Sequence, residues 1–173
     1  MEAHENIVLI GMPTSGKSTA GVILAKILGM GFVDTDLLIQ KKTKKKLSEL
    51  IESESLSGFL AIEEEVCSEL GITDPDLLSD GSVIATGGSV VYSEKAMQHL
   101  KEIGKVVYLK IDLPTLQKRL HNAKQRGVVL RKGQSLSDLY EERTPLYEKY
   151  ADLVVSEAGL NMEETVHRII LQL

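Results

Sequence analysis

The chain has 173 residues, of which 43% are hydrophobic, and it carries a formal net charge of −5 and a single cysteine, Cys67. This length and apolar content suit one domain with a buried core, whereas nucleic-acid and membrane surfaces demand a basic face that an acidic chain disfavours. One cysteine excludes an intramolecular disulfide and a cysteine-rich metal site. The N-terminus does not resemble a signal peptide, and no apolar run approaches the roughly 20 residues that span a bilayer, so we expect a cytoplasmic protein. We also expect a monomer or weak homo-oligomer.

Apolar runs typical of buried strands alternate along the chain with segments of helical periodicity. This order predicts an α/β fold, a three-layer α/β/α sandwich around a five-stranded parallel sheet, with residues 1–173 forming a single domain. The predicted strands are residues 6–12, 31–36, 82–88, 105–112 and 151–157, and the predicted helices are residues 17–29, 36–42, 47–54, 57–70, 94–103, 114–122, 135–149 and 161–172.

The first predicted strand runs into the stretch LIGMPTSGKSTAG. It contains the spacing G-x-x-x-x-G-K-[ST] of a phosphate-binding loop, between the strand and the helix that this motif requires. Backbone N–H groups at the positive end of a helix favour phosphate oxygens, so the loop predicts bound ATP. Lys17 would reach the β- and γ-phosphates, and Ser18 would offer its hydroxyl to Mg²⁺. The residues predicted to bind ATP here are Gly11, Thr14, Ser15, Gly16, Lys17, Ser18 and Thr19.

Thr14 occupies a position of this loop where a glycine would tolerate any backbone conformation. A threonine enters the left-handed region only at a cost, because its branched side chain crowds the backbone there. We therefore expect Thr14 to keep a negative φ, which would leave phosphate binding intact.

Two carboxylates, Asp34 and Asp36, end the second predicted strand. The two-residue period of a strand would direct both side chains to one face, near the crevice at the carboxyl ends of the strands. A kinase uses one acidic group to help hold Mg²⁺ and another to orient or deprotonate the acceptor hydroxyl. Alternatively, Asp36 or Thr35 simply caps a helix that starts at Leu37. The helices of residues 37–70 would form the substrate side of the domain.

Two later stretches complete the predicted site. Gly87 and Gly88 end the third predicted strand, where missing side chains would let an anionic or hydroxylated ligand come close, although a glycine pair also serves ordinary turns. Residues 122–135 are polar and carry four basic side chains. Their length is unusual for a plain connection and common for an active-site lid, so we interpret them as a lid.

Taken together, these motifs resemble the shikimate kinases, a family of the nucleoside-monophosphate-kinase-like group. The resemblance covers essentially the whole chain and rests on GMPTSGKST, FVDTD, TGGS, a lid with Arg126, and ERTPLYEKYAD. It implies a P-loop kinase fold with a lid segment. It also implies transfer of the γ-phosphoryl group of MgATP to a ring hydroxyl of shikimate, giving shikimate 3-phosphate and ADP.

The resemblance implies roles for residues outside the phosphate-binding loop. Asp34 matches the family's metal-associated aspartate, and Asp36 matches the aspartate that grips substrate hydroxyls. Gly87 and Gly88 match two of the three substrate-binding glycines. Arg143 matches an arginine that pairs with the substrate carboxylate.

Two more arginines match the nucleotide side of the family pattern. Arg126 matches the lid arginine that closes on the phosphates, and Arg119 matches the arginine that stacks on adenine, unless it is an ordinary solvent-facing helix residue. The predicted catalytic residues are thus Lys17 and Arg126, which would neutralise the transferring group, and Asp36, which would align the acceptor hydroxyl.

Three positions depart from the family pattern, all on the acceptor and lid side. Leu60 stands where the family carries a second carboxylate-binding arginine, Ser89 replaces the third glycine, and Gly127 replaces the lid proline. Losing one arm of a two-arginine clamp costs on the order of 2 to 4 kcal/mol. Either a basic residue of 41–46 or Arg131 takes over this arm, or the acceptor is another hydroxylated small molecule.

Three functional hypotheses stay open at this point. The first is shikimate phosphorylation, and the second is a related kinase for another hydroxy acid or polyol. The third is a nucleotide-binding regulatory module that has lost phosphoryl transfer, whose hallmark would be the loss of Lys17, Ser18 or Asp34. All three residues are present.

Overall fold

The computed structural model describes residues 5–120, 128 and 130–173. Within them, five strands form one sheet in which all neighbouring strands run parallel, so the predicted α/β class and parallel sheet are confirmed. The strands are β1 (Asn6–Ile10), β2 (Gly31–Asp34), β3 (Ser82–Ala85), β4 (Gly104–Lys110) and β5 (Leu153–Ser156), and their order across the sheet is β2-β3-β1-β4-β5.

Eight helices and two short 3₁₀ turns connect the strands in the described part of the chain. Each predicted helix is present, with ends no more than three residues from the prediction. The predicted strands all extended too far at their carboxyl ends, into the turns that build the functional edge. The helices are α1 (Lys17–Leu28), α2 (Thr35–Thr43), α3 (Leu47–Ser53), α4 (Leu56–Ser68), α5 (Glu94–Ile103), α6 (Leu113–Arg119), α7 (Leu136–Tyr150) and α8 (Met162–Gln172), and the 3₁₀ turns are Pro75–Leu78 and Val90–Tyr92.

The central strand β1 shows how the three layers form. Its side chains alternate between the two faces of the sheet, as the two-residue period of a strand requires. Ile7 and Leu9 pack with residues of α1 and α8 in one buried cluster, and Val8 and Ile10 pack with residues of α5 and α7 in the other. Burial on both faces explains why residues 7–10 of β1 are all apolar rather than alternating in polarity.

Helices α2, α3 and α4 lie to the side of this sandwich, in the connection between β2 and β3. They bury a smaller apolar cluster of their own, in which Ile39, Leu50, Phe59 and Val66 are the most buried members. This cluster, called here the side cluster, stabilises the three helices, which the sequence predicts to form the substrate side of the domain. None of the helices described in the structure is long and apolar enough to cross a membrane.

The carboxyl ends of the strands define the edge at which the chain can build a site. β1 lies between β3 and β4, so the chain segments that leave β1 and its neighbours diverge there and open a crevice. The phosphate-binding loop follows β1, the Asp34 and Asp36 pair follows β2, and the paired glycines follow β3. The topology therefore brings all three predicted motifs to one place.

Candidate active site

A cleft of about 460 Å³ opens at this edge of the sheet. Its walls come from the phosphate-binding loop, from α2, α4, α6 and α7, and from the turn after β3. Gly11 and Ser15 contact Lys17, and Asp34 contacts Ser18, so these three lie next to the lining. Arg126 and Gly127 fall outside the described residues, and the predicted role of Arg126 stays a prediction. The cleft brings together the predicted residues Thr14, Gly16, Lys17, Ser18, Thr19, Asp36, Gly87, Gly88, Arg119 and Arg143.

The phosphate-binding loop departs from expectation at Thr14. We expected a negative φ, and this is wrong, because Thr14 lies in the left-handed region with φ 65°. The loop has to reverse within a few residues, and it does so with a hydrogen bond from the Ser15 N–H to the Met12 carbonyl (3.1 Å). Such a conformation costs about 1 to 3 kcal/mol, so other contacts must hold it. One of them is the Arg119 Nη1 donor on the Thr14 carbonyl (2.9 Å).

Lys17 is held at the centre of this loop. Its Nζ donates to the carbonyl oxygens of Gly11 and Met12, each at 2.8 Å, and more weakly to Ser15 Oγ at 3.4 Å. Burial lowers the pKa of the Lys17 ammonium to about 8, and the neighbouring Asp36 opposes this shift. The side chain therefore remains mainly charged at neutral pH, and the two carbonyl oxygens hold this charge at the start of the loop.

Ser18 and Asp34 form the predicted metal pair. Ser18 Oγ donates to Asp34 Oδ2 at 2.7 Å, and this pair is exposed to solvent. Neighbouring ligands of an octahedral Mg²⁺ ion lie about 2.9 Å apart, given metal–oxygen distances of 2.0–2.1 Å. The described residues hold no cluster of three or more His, Cys, Asp or Glu side chains fit for a metal. The hydroxyl and the carboxylate thus fit an ion held mainly by water and phosphate oxygens.

The predicted capping of α2 needs correction. Asp34, rather than Asp36 or Thr35, is the cap, since its Oδ1 accepts hydrogen bonds from the N–H groups of Asp36 (3.0 Å) and Leu37 (3.4 Å). The helix begins at Thr35, one residue before the predicted range of 36–42 and two before the start at Leu37 assumed for capping, so the strand period does not relate the two carboxylates. Asp36 reaches the cleft from the first turn of α2 instead.

Three charged side chains, buried or half-buried, lie in the part of the cleft around the paired glycines, called here the acceptor half because the sequence predicts acceptor binding there. Asp36, Glu63 and Arg143 surround the paired glycines, and a β-carbon on Gly87 would lie 3.0 Å from Asp36 Oδ1 and collide with Glu63 Oε2. A β-carbon on Gly88 would lie 3.0 Å from Arg143 Nη1. A side chain at either position would therefore have to displace the charged groups from their places in the cleft.

Glu63 is a candidate site residue to which no role was assigned from the sequence. The side chain is only 2% exposed, its Oε1 accepts a hydrogen bond from Ser89 Oγ at 2.5 Å, and its Oε2 is buried with no hydrogen-bond partner among the described residues. Burial raises the pKa of Glu63 to about 7, and the nearby Asp36 adds to the rise. A glutamate between Phe59 and Val66 on the buried face of α4 was the available signal.

Asp36 is also perturbed. Burial raises the pKa of its carboxyl to about 6, Asp34 adds to the shift, and Lys17 opposes it. Asp36 therefore lies close to a second carboxyl group, Glu63, whose pKa burial also raises. Neighbouring acidic groups with raised pKa values are typical of catalytic and ligand-binding sites.

Arg143 is fixed by aromatic neighbours. It is 1% exposed, its Nε donates to the Tyr92 hydroxyl at 3.2 Å, and its guanidinium lies 5.2 Å from the Tyr92 ring centroid. The Tyr92 hydroxyl in turn donates to Glu142 Oε1 at 2.7 Å, and the Tyr147 hydroxyl donates to the Gly88 carbonyl at 2.6 Å. This network holds a planar cation in the acceptor half, where it suits a carboxylate.

Among the described residues, none of the cations suggested from the sequence stands in for the arginine that the family pattern places at Leu60. Leu60 lines a small cavity of about 210 Å³ beside Glu63 and Ser89. Arg131 Nη1 lies 3.3 Å from Glu142 Oε1 in an ion pair. Lys42, one of the lysines of residues 41–46, places its Nζ 2.7 Å from Glu65 Oε1. In the described part of the chain, neither Arg131 nor a lysine of residues 41–46 lines the cleft or this cavity.

The raised pKa of Glu63 predicts a stability change in Glu63→Gln. Between about pH 4.5 and pH 7 the folded protein keeps a proton on Glu63 that the unfolded chain releases, so this carboxyl makes the protein less stable as pH rises. We expect the variant to match the wild type near pH 5 and to be more stable at pH 8 by about 1 to 3 kcal/mol, or several degrees.

Thermal unfolding at pH 5, 6.5 and 8 measures this difference. Glu65→Gln, which removes an exposed glutamate of the same helix, serves as the control and should show no such pH-dependent gain. A Glu63→Gln variant that is less stable than the wild type at every pH would mean that the ionised carboxylate is well paired in the folded protein.

The sequence and the fold of this chain are similar to those of known proteins. The family model described as shikimate kinase matches residues 13–173. A shikimate kinase of Thermodesulfovibrio yellowstonii is 36% identical over 168 residues, covering 96% of this chain and 93% of that protein. The solved shikimate kinase from Acinetobacter baumannii in complex with shikimate has a TM-score of 0.86 and 30% identity, covering 99% of this chain and 93% of that one. The shikimate kinase from Aquifex aeolicus has a TM-score of 0.79 and 31% identity, with coverage of 96% and 94%.

Proposed function

The chain belongs to the shikimate kinase family, and from this premise we propose that it transfers the γ-phosphoryl group of MgATP to a hydroxyl of shikimate, giving shikimate 3-phosphate and ADP. One observation carries the proposal. A single cleft joins a phosphate-binding loop containing Lys17 to a pocket in which Asp36, Glu63 and Arg143 are buried together. A phosphate donor and a hydroxylated acid therefore fit side by side.

On the nucleotide side, the residues act by position and charge. Lys17 holds a positive charge at the closed end of the loop, where it would neutralise charge on the transferring group. Ser18 and Asp34 are the residues that would hold Mg²⁺, and the bound ion would further offset the phosphate charge. Arg119 lies on the wall of the cleft and would face the base, as the family resemblance implies.

On the acceptor side, Arg143 would pair with the substrate carboxylate, while Gly87 and Gly88 would let the ring approach the backbone. Asp36 would accept a hydrogen bond from the reacting hydroxyl and align it for attack. Glu63 Oε2, buried and without a hydrogen-bond partner among the described residues, would accept a hydrogen bond from another hydroxyl. Each buried polar group then gains a partner when a polyhydroxylated acid binds.

Further parts of the proposal follow from the family. We propose that residues 1–173 act as one domain, with residues 122–135 as a lid whose Arg126 closes on the phosphates and helps to exclude water. We also propose Mg²⁺ as the metal, a cytoplasmic location, no nucleic-acid or membrane partner, and a monomer or weak homo-oligomer.

The test is ADP release from MgATP in the presence of shikimate, quinate, gluconate, homoserine and simple polyols. Saturable turnover with shikimate alone supports the proposal. Turnover only with another acid or polyol would support the second candidate, a related kinase, which Leu60 favours because it leaves the acceptor pocket with one arginine fewer than the family pattern. Nucleotide binding without turnover on any acceptor would support a regulatory module.

Restoring the family's arginine offers a sharper prediction. In Leu60→Arg, we expect the KM for shikimate to fall by roughly tenfold with little change in kcat, because a second cation would face the substrate carboxylate from beside Glu63. Leu60→Met keeps the apolar side chain and is the matched control, which should leave KM unchanged. If both variants bind shikimate as the wild type does, then position 60 does not face the carboxylate.

A further inference from the structure

Glu157 is a buried carboxylate on the nucleotide side that the proposed reaction does not use. It follows β5 and is 7% exposed. Its backbone N–H donates to the Lys110 carbonyl at 3.0 Å, which fixes the residue to the end of β4. The carboxylate points towards the start of α1, since a β-carbon built on Gly16 would lie 3.9 Å from Glu157 Oε1. A buried acid beside a phosphate-binding loop is unexpected and requires a physical reason.

The neighbour of this carboxylate is Arg119. Arg119 Nη1 lies 4.0 Å from Glu157 Oε2, and the same Nη1 donates to the Thr14 carbonyl at 2.9 Å. Glu157 Oε2 is buried and has no hydrogen-bond partner among the described residues. The guanidinium thus lies between the carboxylate and the left-handed Thr14 of the loop, with its remaining surface open to the cleft.

Arg119 needs such support because it is partly exposed. Its side chain is 36% exposed, so it has access to solvent and to other rotamers, whereas the side chain of Glu157 is 4% exposed. A long cationic side chain loses considerable conformational freedom when it is held in one orientation. When Glu157 is ionised, its negative charge behind the guanidinium favours the orientation in which the guanidinium contacts the loop.

We infer that Glu157 is a positioning residue of the nucleotide site. It acts through Arg119, whose guanidinium it holds against the Thr14 carbonyl. Both the phosphate-binding loop and the cleft wall that contacts the nucleotide are thereby preorganised. The inference rests on the proposed use of MgATP. Direct contact between Glu157 and the nucleotide is disfavoured, because Oε2 is buried and its charge would repel phosphate.

The electrostatic cost of this arrangement supports a role. Burial raises the pKa of Glu157 to about 7, and the charges of Arg119 and Lys17 oppose that rise. A glutamine would avoid the burial penalty at the same volume, so the carboxylate is not explained by stability. We therefore expect Glu157→Gln to unfold at the same temperature as the wild type or higher at pH 8, which separates a binding defect from a folding defect.

Calorimetric titration with MgADP, together with steady-state kinetics, tests the inference. For Glu157→Gln we expect MgADP affinity to fall about tenfold and the KM for ATP to rise by a similar factor, as for a moderate coupling between neighbouring side chains. The KM for the acceptor should change less than about twofold, because Glu157 lies outside the acceptor half. Glu148→Gln removes an exposed glutamate that pairs with Lys110 and should change neither value.

A double-mutant cycle with Arg119→Ala separates the possible routes. If Glu157 acts through Arg119, Glu157→Gln should cost nothing further once Arg119 is gone. Arg119→Gln gives a second background that removes the charge but keeps a polar side chain, in case the alanine variant does not fold. An undiminished effect of Glu157→Gln in these backgrounds would overturn the inference.

Two other outcomes are informative. If the wild type binds MgADP and Glu157→Gln binds it equally well, the inference fails while the proposed kinase function stands. If the wild type binds neither MgADP nor MgATP, the proposed function fails, and the inference fails with it.

Discussion

Lys17→Ala is expected to lower kcat/KM by about a thousandfold or more, leaving almost no turnover. Lys17 Nζ is fixed by the carbonyl oxygens of Gly11 and Met12, so its charge is oriented before the nucleotide binds. Transfer of a phosphoryl group depends mainly on positioning and charge stabilisation. An alanine removes the charge and also leaves two carbonyl groups without this donor.

ADP release over a range of MgATP concentrations, at saturating shikimate, gives kcat/KM for Lys17→Ala, with thermal unfolding to verify the fold. Lys26→Ala is the matched control, because Lys26 lies on the exposed side of the same helix and should be replaceable without loss. Retention of more than about a tenth of the activity would contradict the charge-stabilising role.

Asp36→Asn is expected to reduce kcat by about 100-fold to 1,000-fold while changing MgADP affinity little. The asparagine keeps the size of the side chain, but it loses the carboxylate that would align the acceptor hydroxyl. The pKa of Asp36, raised to about 6 by burial, still leaves the carboxylate mainly ionised at pH 7.5, so the substitution removes a charge that is present under assay conditions.

Single-turnover kinetics and MgADP titration separate transfer from binding in Asp36→Asn. Asp74→Asn is a suitable control, because Asp74 is exposed and makes no side-chain capping bond. Full activity of Asp36→Asn on its true acceptor would show that the aspartate has been assigned the wrong role.

The fold and the phosphate-binding loop could be predicted because their signals are local. Strand and helix periodicities occur within short windows, and the loop motif fixes Gly16, Lys17 and Ser18 at consecutive positions. The carboxyl ends of the strands were harder to predict. The residues just beyond the strands are either apolar or part of the predicted site, as Met12 and Asp36 illustrate. Their composition therefore does not reveal where the hydrogen bonds between neighbouring strands stop.

The remaining features depend on contacts that the sequence does not display. The left-handed φ of Thr14 is supported by Arg119, which lies 105 residues away in the chain. Glu157 looks like an ordinary surface glutamate in the sequence, and only the packing around it makes it buried, whereas Glu63 at least lies on the face of α4 that carries Phe59 and Val66. Asp36 was identified for a strand geometry that the chain does not adopt, since α2 begins at Thr35.

The side cluster of α2, α3 and α4 has an evolutionary consequence. Leu60 lies against this cluster, on the same helix as Glu63, and the four most buried members of the cluster belong to neither of the two clusters that cover the sheet. Substitutions within the side cluster can therefore reshape the acceptor pocket without repacking the layers that carry the phosphate-binding loop. Such a division lets a lineage of kinases exchange one acceptor for another while inheriting its phosphate donor unchanged.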